Sequence, residues 1–250
     1  MPRTRKDAKE PKKVGERVRF WLAEIVASKK RDKDFHTKGK TIRDTYDGTK
    51  HEETPFNILY SNTDILLPAL YSTVPRPVVQ RRYKDDDPVG LAAAKAAQRM
   101  LEFQIDTNIE GYETFDETMT GVTLDGLLPG RGVSTVKYDV ELEGDVKQSE
   151  MVCTDLKSWD RVYFGYAKKW SKVPWVAYEE YIDKEEAERL FGKDIAGQIE
   201  YTTGEGDDES GRKQQADTYL GERKTALIYQ IWDKNGGKKI RYVSPHYTDD

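Results

Sequence analysis

Residues 136–143 read VKYDVELE, and the fold class turns on this segment. Val136, Tyr138, Val140 and Leu142 fall on one side of an extended chain, and Lys137, Asp139, Glu141 and Glu143 fall on the other, because successive side chains of a strand point to opposite faces. The pattern predicts a strand with one dry face and one wet face. Glu143-Gly144-Asp145 then reads as a turn into a second strand through Gln148–Thr154. Before this hairpin the apolar spacing is helical; after it, mostly strand-like. Helices first and strands later is the order of an α+β fold, whereas a doubly wound parallel sheet alternates the two.

Upstream, Val14, Val18, Trp21, Leu22, Ile25 and Val26 recur at three- and four-residue steps and predict one helical stripe, closed by the cations of 29–33. The polar stretch from Thr37 to Thr54, with Asp47-Gly48 as a turn signal, reads as a loop. Phe56–Tyr71 predicts a second helix that Pro68 should kink or stop early. Pro75 and Pro77 force extended backbone, and Val78–Tyr83 reads as a strand. Asp85-Asp86-Asp87-Pro88 is a helix start, opening a helix with Leu91, Ala94, Gln98, Leu101 and Ile105 on one face. Another begins near Gly111, carries Phe115, Met119 and Val122, and stops at Leu127-Leu128-Pro129-Gly130.

Downstream, Trp175–Ile182 predicts a strand. Asp183 stands as N-cap, with Glu186 at capping-box spacing, for a helix running to Phe191 before Gly192. Residues 202–215 are Gly-rich, acidic and polar, which predicts an exposed loop. Ala226–Asp233 and Lys238–Val243 flank Asn235-Gly236-Gly237 and predict a hairpin. There is no internal repeat. The chain closes soon after this hairpin, which is marginal without a cover; this leads us to expect a longer protein or a partner that completes it.

Composition narrows the classes. Of 250 residues, 34% are charged against about 25% in an ordinary domain, and 36% are hydrophobic. No run nears the roughly 20 apolar residues of a membrane span, so no membrane partner is expected, and one cysteine cannot make an internal disulfide. Aromatic content of 11% argues against wholesale disorder. No apolar run of a secretory signal follows the basic start, so the composition reads as soluble and cytoplasmic. The charge is segregated. Residues 1–40 hold fourteen Lys/Arg and six Asp/Glu, a net +8, which leaves −12 on the other 210. Residues 1–13, with Arg3, Arg5, Lys6, Lys12 and Lys13, read as a basic flexible arm for nucleic acid or an acidic partner, or as a solvated tail.

Candidate chemistry is thin, and no catalytic, metal or cofactor residue is assigned. His36, His51 and His246 each lie in polar sequence without a ligand at metal spacing and read as surface histidines. Cys153 reads as a buried, inert thiol. Asp85–Asp87 lack the spacing of a calcium loop. Asp139, Glu141 and Glu143 could pass for a nuclease carboxylate cluster, but a solvated strand face accounts for them. The G-x-G of 130–132 precedes a strand instead of opening a helix, so it reads as a turn. Aromatic side chains crowd residues 159–181. Trp159, Tyr163, Phe164, Trp170 and Trp175 read as core and protein–protein anchors, with stacking on single-stranded nucleic acid as the alternative.

Several of these segments, in this order, resemble a known family. They are NILYSNTDILLPALYSTVPRPVVQRRY at 57–83, DETMTGVTLDGLLPGRGVSTVKYDVE at 116–141, the W-x-R-V-Y-F stretch from Trp159 leading to V-x-W-V-A-Y, and the closing IWDK hairpin. Together, over roughly Phe56 to Val243, they resemble the N-terminal region of portal proteins of tailed bacteriophages, most closely the short-tailed type. The resemblance implies a wing-like α+β region spanning 14–250, with stem, clip and crown following it. It implies a virion protein at the capsid vertex, assembled in the host cytoplasm. Such a subunit joins copies of itself in a ring, a dodecamer in this family, through which double-stranded DNA is packaged and ejected. The implied partners are the terminase large subunit, the major capsid and scaffolding proteins, and the head–tail adaptors. The alternatives are another phage head or head–tail structural protein whose basic arm binds nucleic acid or scaffold, and, from the enzyme class, a nuclease using Asp139, Glu141 and Glu143.

Overall fold

The computed structural model describes residues 14–49, 56–82, 87–106, 113–143, 146–203, 224–235, 237 and 239–245. Helices come first: α1 (Val14–Arg31), α2 (Lys33–Tyr46), α3 (Ile58–Leu70), α4 (Pro88–Asp106) and α5 (Phe115–Leu127). Strands β1 (Val133–Glu143), β2 (Val146–Lys157), β3 (Val162–Phe164) and β4 (Trp175–Asp183) follow. Then come α6 (Lys184–Phe191), α7 (Lys193–Ala196), β5 (Thr202–Thr203), β6 (Lys224–Asp233) and β7 (Lys239–Val243). All the sheet pairings are antiparallel, and the fold is α+β. The chain divides into two units. The first holds the residues up to His36 and those from Arg161 on, and the second holds 37–160.

The first unit is built around β6. This strand pairs with β4 along its length, with β5 at its start and with β7 at its end. Its sequence KTALIYQIWD is nearly continuous in apolar residues because both faces are covered. Tyr229 and Ile231 point to one side, where Trp21 and Ile25 of α1 pack with Tyr163, Trp175, Ala177 and Val243. Ala226 and Ile228 point to the other, where α6 and α7 supply Ala187 and Ala196 beside Ile182 and Ile199. Asp183 caps α6 by accepting from the Glu186 N–H at 2.8 Å, and Gly192 (φ +83°) ends it, as the capping pattern predicts. The hairpin of β6 and β7 forms across residues 234–238, with Gly237 at φ +84°.

Helix α1 is fastened to edge strand β3. The Ser28 hydroxyl, 1% exposed, donates to the Phe164 carbonyl (3.1 Å) and accepts from the Phe164 N–H (3.2 Å). A side chain thus occupies the place of a neighbouring strand, and the edge is closed to further pairing. The helical stripe runs through Trp21, Ile25 and Ser28, with Val18 and Leu22 against it. Val26 leaves it and is 63% exposed, contrary to the sequence reading; one residue beyond Ile25 it sits about 100° round the helix.

In the second unit α5 lies on the hairpin of β1 and β2. Thr114 and Glu117 form a capping box at its start, which holds the Glu117 carboxyl below its ordinary value through the Thr114 backbone N–H and hydroxyl. Thr118, 1% exposed, donates to the Thr154 carbonyl (3.3 Å), and Gly121 lets Leu156 approach. Asn57 joins two helices. Its side-chain amide donates to the last carbonyls of α2, Thr45 and Tyr46 (2.7 and 3.0 Å), while its oxygen accepts from the Tyr60 N–H of α3 (3.0 Å).

Five readings are corrected. Most of the stretch read as a loop from Thr37 is helix α2. Trp159 lies on Gly39, where an added Cβ would meet its ring at 2.5 Å, so tertiary packing makes a helix of polar sequence; residues 50–54 lie outside the described residues. No strand forms at 78–82: the Val79 N–H donates to Gln98 Oε1 of α4 (3.4 Å) instead of to a sheet, and Tyr83 lies outside the described residues. The dry face of β1 is wet at Val136 and Tyr138, 63% and 62% exposed, while Thr135 is buried. Thr202 and Thr203 pair with β6 instead of looping out; residues 204–215 and the arm 1–13 lie outside the described residues. Pro68 does not stop α3, which runs two residues beyond it.

Adjacent residues of α1 make a direct test. Ile25→Ala leaves a cavity in the first unit and should cost about 2–4 kcal/mol. Val26→Ala should stay within about 0.5 kcal/mol. Urea midpoints read the difference, and equal losses would contradict the packing.

Candidate interaction surfaces

The residues singled out by sequence do not gather into one site. Asp139 accepts from the Val140 N–H (2.9 Å), so its carboxylate serves its own strand. Among the described residues no group of three His, Cys, Asp or Glu is arranged to hold a metal. Cys153 is buried, and burial, with Asp155 nearby, pushes its thiol above the ordinary value. His36 is not a surface histidine: it is half-buried, and its ring stacks on Tyr163 with centroids 6.3 Å apart. His51, His246, Asp85 and Asp86 lie outside the described residues, while Asp87 accepts from the Val89 and Gly90 N–H groups as the cap of α4.

The aromatic crowd also separates. Trp159, Tyr163 and Trp175 are 4–5% exposed and pack their own units, so as anchors for a partner they are corrected to core residues. Trp175 donates its indole N–H to Glu24 (3.2 Å). Phe164 is half-covered, edge-on to Trp170 at 5.4 Å. Trp170 itself is 66% exposed.

Around Tyr163 the first unit holds a polar network that the sequence reading missed. Lys29 Nζ donates to Glu179 Oε2 and to the Tyr229 hydroxyl, both at 3.0 Å, and Tyr163 donates to the same Glu179 oxygen at 2.7 Å. Burial is the largest single influence on Lys29 and would lower it, but Glu179 and Tyr229 outweigh burial and hold the ammonium above its ordinary value. Burial, then Glu179, push the Tyr229 phenol up. These contacts tie α1 to β3, β4 and β6. Each polar atom serves another, so the arrangement is a fastening, with no nucleophile set against a free base.

The surfaces that remain are of two kinds. In the second unit α3 buries Thr63 and half-covers Leu59 and Leu67, yet it leaves Ile58, Ile65, Leu66 and Leu70 each 50–67% exposed. Helix α4 repeats this. Ala94, Gln98 and Ile105 are half-covered, as the predicted face requires, but Leu91 and Leu101 of that face are exposed. A second line, Val89, Ala93, Ala96, Met100 and Phe103, alternates steps of four and three and is exposed throughout. That is the spacing of a helix–helix seam. In the first unit the β3–β4 loop, residues 165–174, presents Trp170 and Tyr166 beside Lys168, Lys169 and Lys172.

No protein-family model matches this chain, and no curated protein matches it.

The network around Lys29 fixes a pH dependence. Lys29 and Tyr229 both hold their protons more tightly in the folded state, so the stability they contribute is complete below the unfolded values near 10 and is lost as pH rises through the folded ones. Urea midpoints should fall from about pH 9.5 upward, and Tyr229→Phe should flatten part of that fall. A level midpoint to pH 11 would contradict the assignment.

Proposed function

We propose that this chain is a structural subunit that completes its core by docking on copies of itself, as a phage portal subunit does in its ring. The carrying observation is the set of large apolar side chains that α3 leaves open to water, Ile58, Ile65, Leu66 and Leu70. Exposed apolar side chains gathered on one element mark a surface that is covered by a partner. Covering each of these side chains is worth about 1–2 kcal/mol, given how much of each is open. The seam of α4 adds a second strip of the same kind. A head-to-tail contact between different patches of identical subunits closes into a ring when the rotation allows it.

The segment order at 57–83, 116–141 and 159–178 supports the portal reading, and the α+β architecture suits the wing region of such a subunit. On this reading the chain belongs to the capsid vertex of a virion. Its ring conducts double-stranded DNA and meets terminase, capsid, scaffolding and adaptor proteins through parts of the particle. The acidic balance beyond residue 40 suits a conduit that must release DNA, because fixed cations retain phosphate through counterion release.

Mass photometry and negative-stain images of the purified chain test this. The expected result is a ring with a central hole, and Ile65→Glu with Leu66→Lys should shift the population to monomer while circular dichroism stays unchanged. A monomer at tens of micromolar, or a ring indifferent to these substitutions, would refute the reading.

A further inference from the structure

We propose that the β3–β4 loop of the first unit, residues 165–174, binds single-stranded nucleic acid, with Trp170 as a stacking platform and the surrounding lysines as phosphate contacts. The inference stands on the first unit alone and does not depend on ring assembly.

The loop reads GYAKKWSKVP: three lysines, two large aromatic residues and no acidic residue. Its shape is set by hydrogen bonds. The Gly165 N–H donates to the Trp175 carbonyl (3.0 Å), Lys172 N–H to the Lys169 carbonyl (2.9 Å) and Val173 N–H to the Trp170 carbonyl (3.0 Å), making one turn of 3-10 helix at Trp170–Lys172. At its far end the Lys234 N–H holds the Pro174 carbonyl (2.9 Å), and Lys234 Nζ donates to the Ser171 carbonyl (2.8 Å), bringing a fourth ammonium to the loop. Gly165 is required here, since an added Cβ would stand 2.5 Å from Pro174 Cγ.

The Trp170 ring is supported from below and open above. Phe164 meets it edge-on, and Phe164 is in turn covered by the Arg31 guanidinium at 5.0 Å, which donates to the Phe164 carbonyl at 2.6 Å. Two carboxylates on α1 and just after it are engaged: Glu24 by the Trp175 indole and Asp32 by Arg31 (3.2 Å). An exposed ring, 66% open, with Tyr166 at 73% and three lysines in the same loop, is what stacking on unpaired bases demands. Base pairs inside a duplex do not offer their faces, so the single strand is the form that fits.

Two other occupants fit less well. A second copy of the same loop would set lysines against lysines, which costs affinity. A lipid surface is held by the broad apolar face of an amphipathic helix, but here one 3-10 turn exposes Trp170 while Val173 is buried and Ala167 and Pro174 are half-covered.

Fluorescence anisotropy with labelled (dT)20 tests the proposal on the full chain, with a duplex of the same length and phosphatidylserine vesicles as competitors. Binding should weaken about tenfold or more in Trp170→Ala, whose ring lies outside the core. In K168E/K169E/K172E the slope of log affinity against log salt should flatten by about 0.7 for each lysine engaged. Binding that ignores these substitutions, a preference for duplex, displacement by vesicles alone, or no binding would each overturn it.

Discussion

Burial of β6 on both faces is the constraint from which the first unit follows. A strand in that position must be apolar at odd and even positions alike, and Ala226, Ile228, Tyr229 and Ile231 meet the requirement. The two covers are unlike. Helices α6 and α7 offer small residues, Ala187 and Ala196, so they lie close. Helix α1 offers Trp21 and Ile25, and its aromatic bulk keeps room for the Lys29, Glu179, Tyr163 and Tyr229 network at the margin of the core. A charged pair there is tolerable because each partner is hydrogen-bonded and Lys29 keeps part of its side chain in water.

Among its described residues the second unit has no strand paired on both edges as β6 is. It buries Trp159 and Leu128, but also Thr118, Asp125, Thr135 and Gly39, while Ile65, Met100 and Phe103 are open. Two of these buried polar groups find partners, whereas the Thr135 hydroxyl is buried without a hydrogen bond. Thr118 serves the Thr154 carbonyl, and Asp125 meets Arg43 at 3.4 Å while its own carbonyl accepts from Gly130 and Arg131. The apolar side chains, by contrast, need only to leave water, and any covering surface will do. A unit arranged this way is held in shape by hydrogen bonds and caps such as Asn57, with much apolar surface left open to water.

Much of the first unit was legible in the sequence because its signals are local. The capping box at Asp183 and Glu186, the turn glycines of the last hairpin and the unbroken apolar run of β6 each state their structure within ten residues. The misreadings share another cause: position along the chain was taken for position in space. Helix α2 looks like a loop until Trp159, 120 residues away, is placed on Gly39. Val136 and Tyr138 alternate as a dry face should, yet α5 packs the hairpin through Thr118 and Gly121 and leaves them open. Aromatic density between 159 and 181 says that large side chains are needed, but only the fold decides that Trp175 fills a core and Trp170 does not. A signal for the outward faces was present in α4, where two apolar lines occupy one helix and only one can be turned inward.

The two kinds of surface obey opposite chemistry, which makes their roles separable in solution. Contacts made by Ile58, Ile65 and Leu66 rest on removing apolar area from water, and salts excluded from protein surfaces strengthen them. Contacts made by Lys168, Lys169 and Lys172 rest on displacing counterions, and the same salts weaken them. Helix α3 carries one carboxylate, Asp64, and the loop after β3 carries none, so the proposed self-association and polyanion binding would each meet little opposition from neighbouring carboxylates. Rising ionic strength therefore pushes the two equilibria apart: a common electrostatic origin would move assembly and nucleic-acid binding in the same direction, and two independent surfaces cannot.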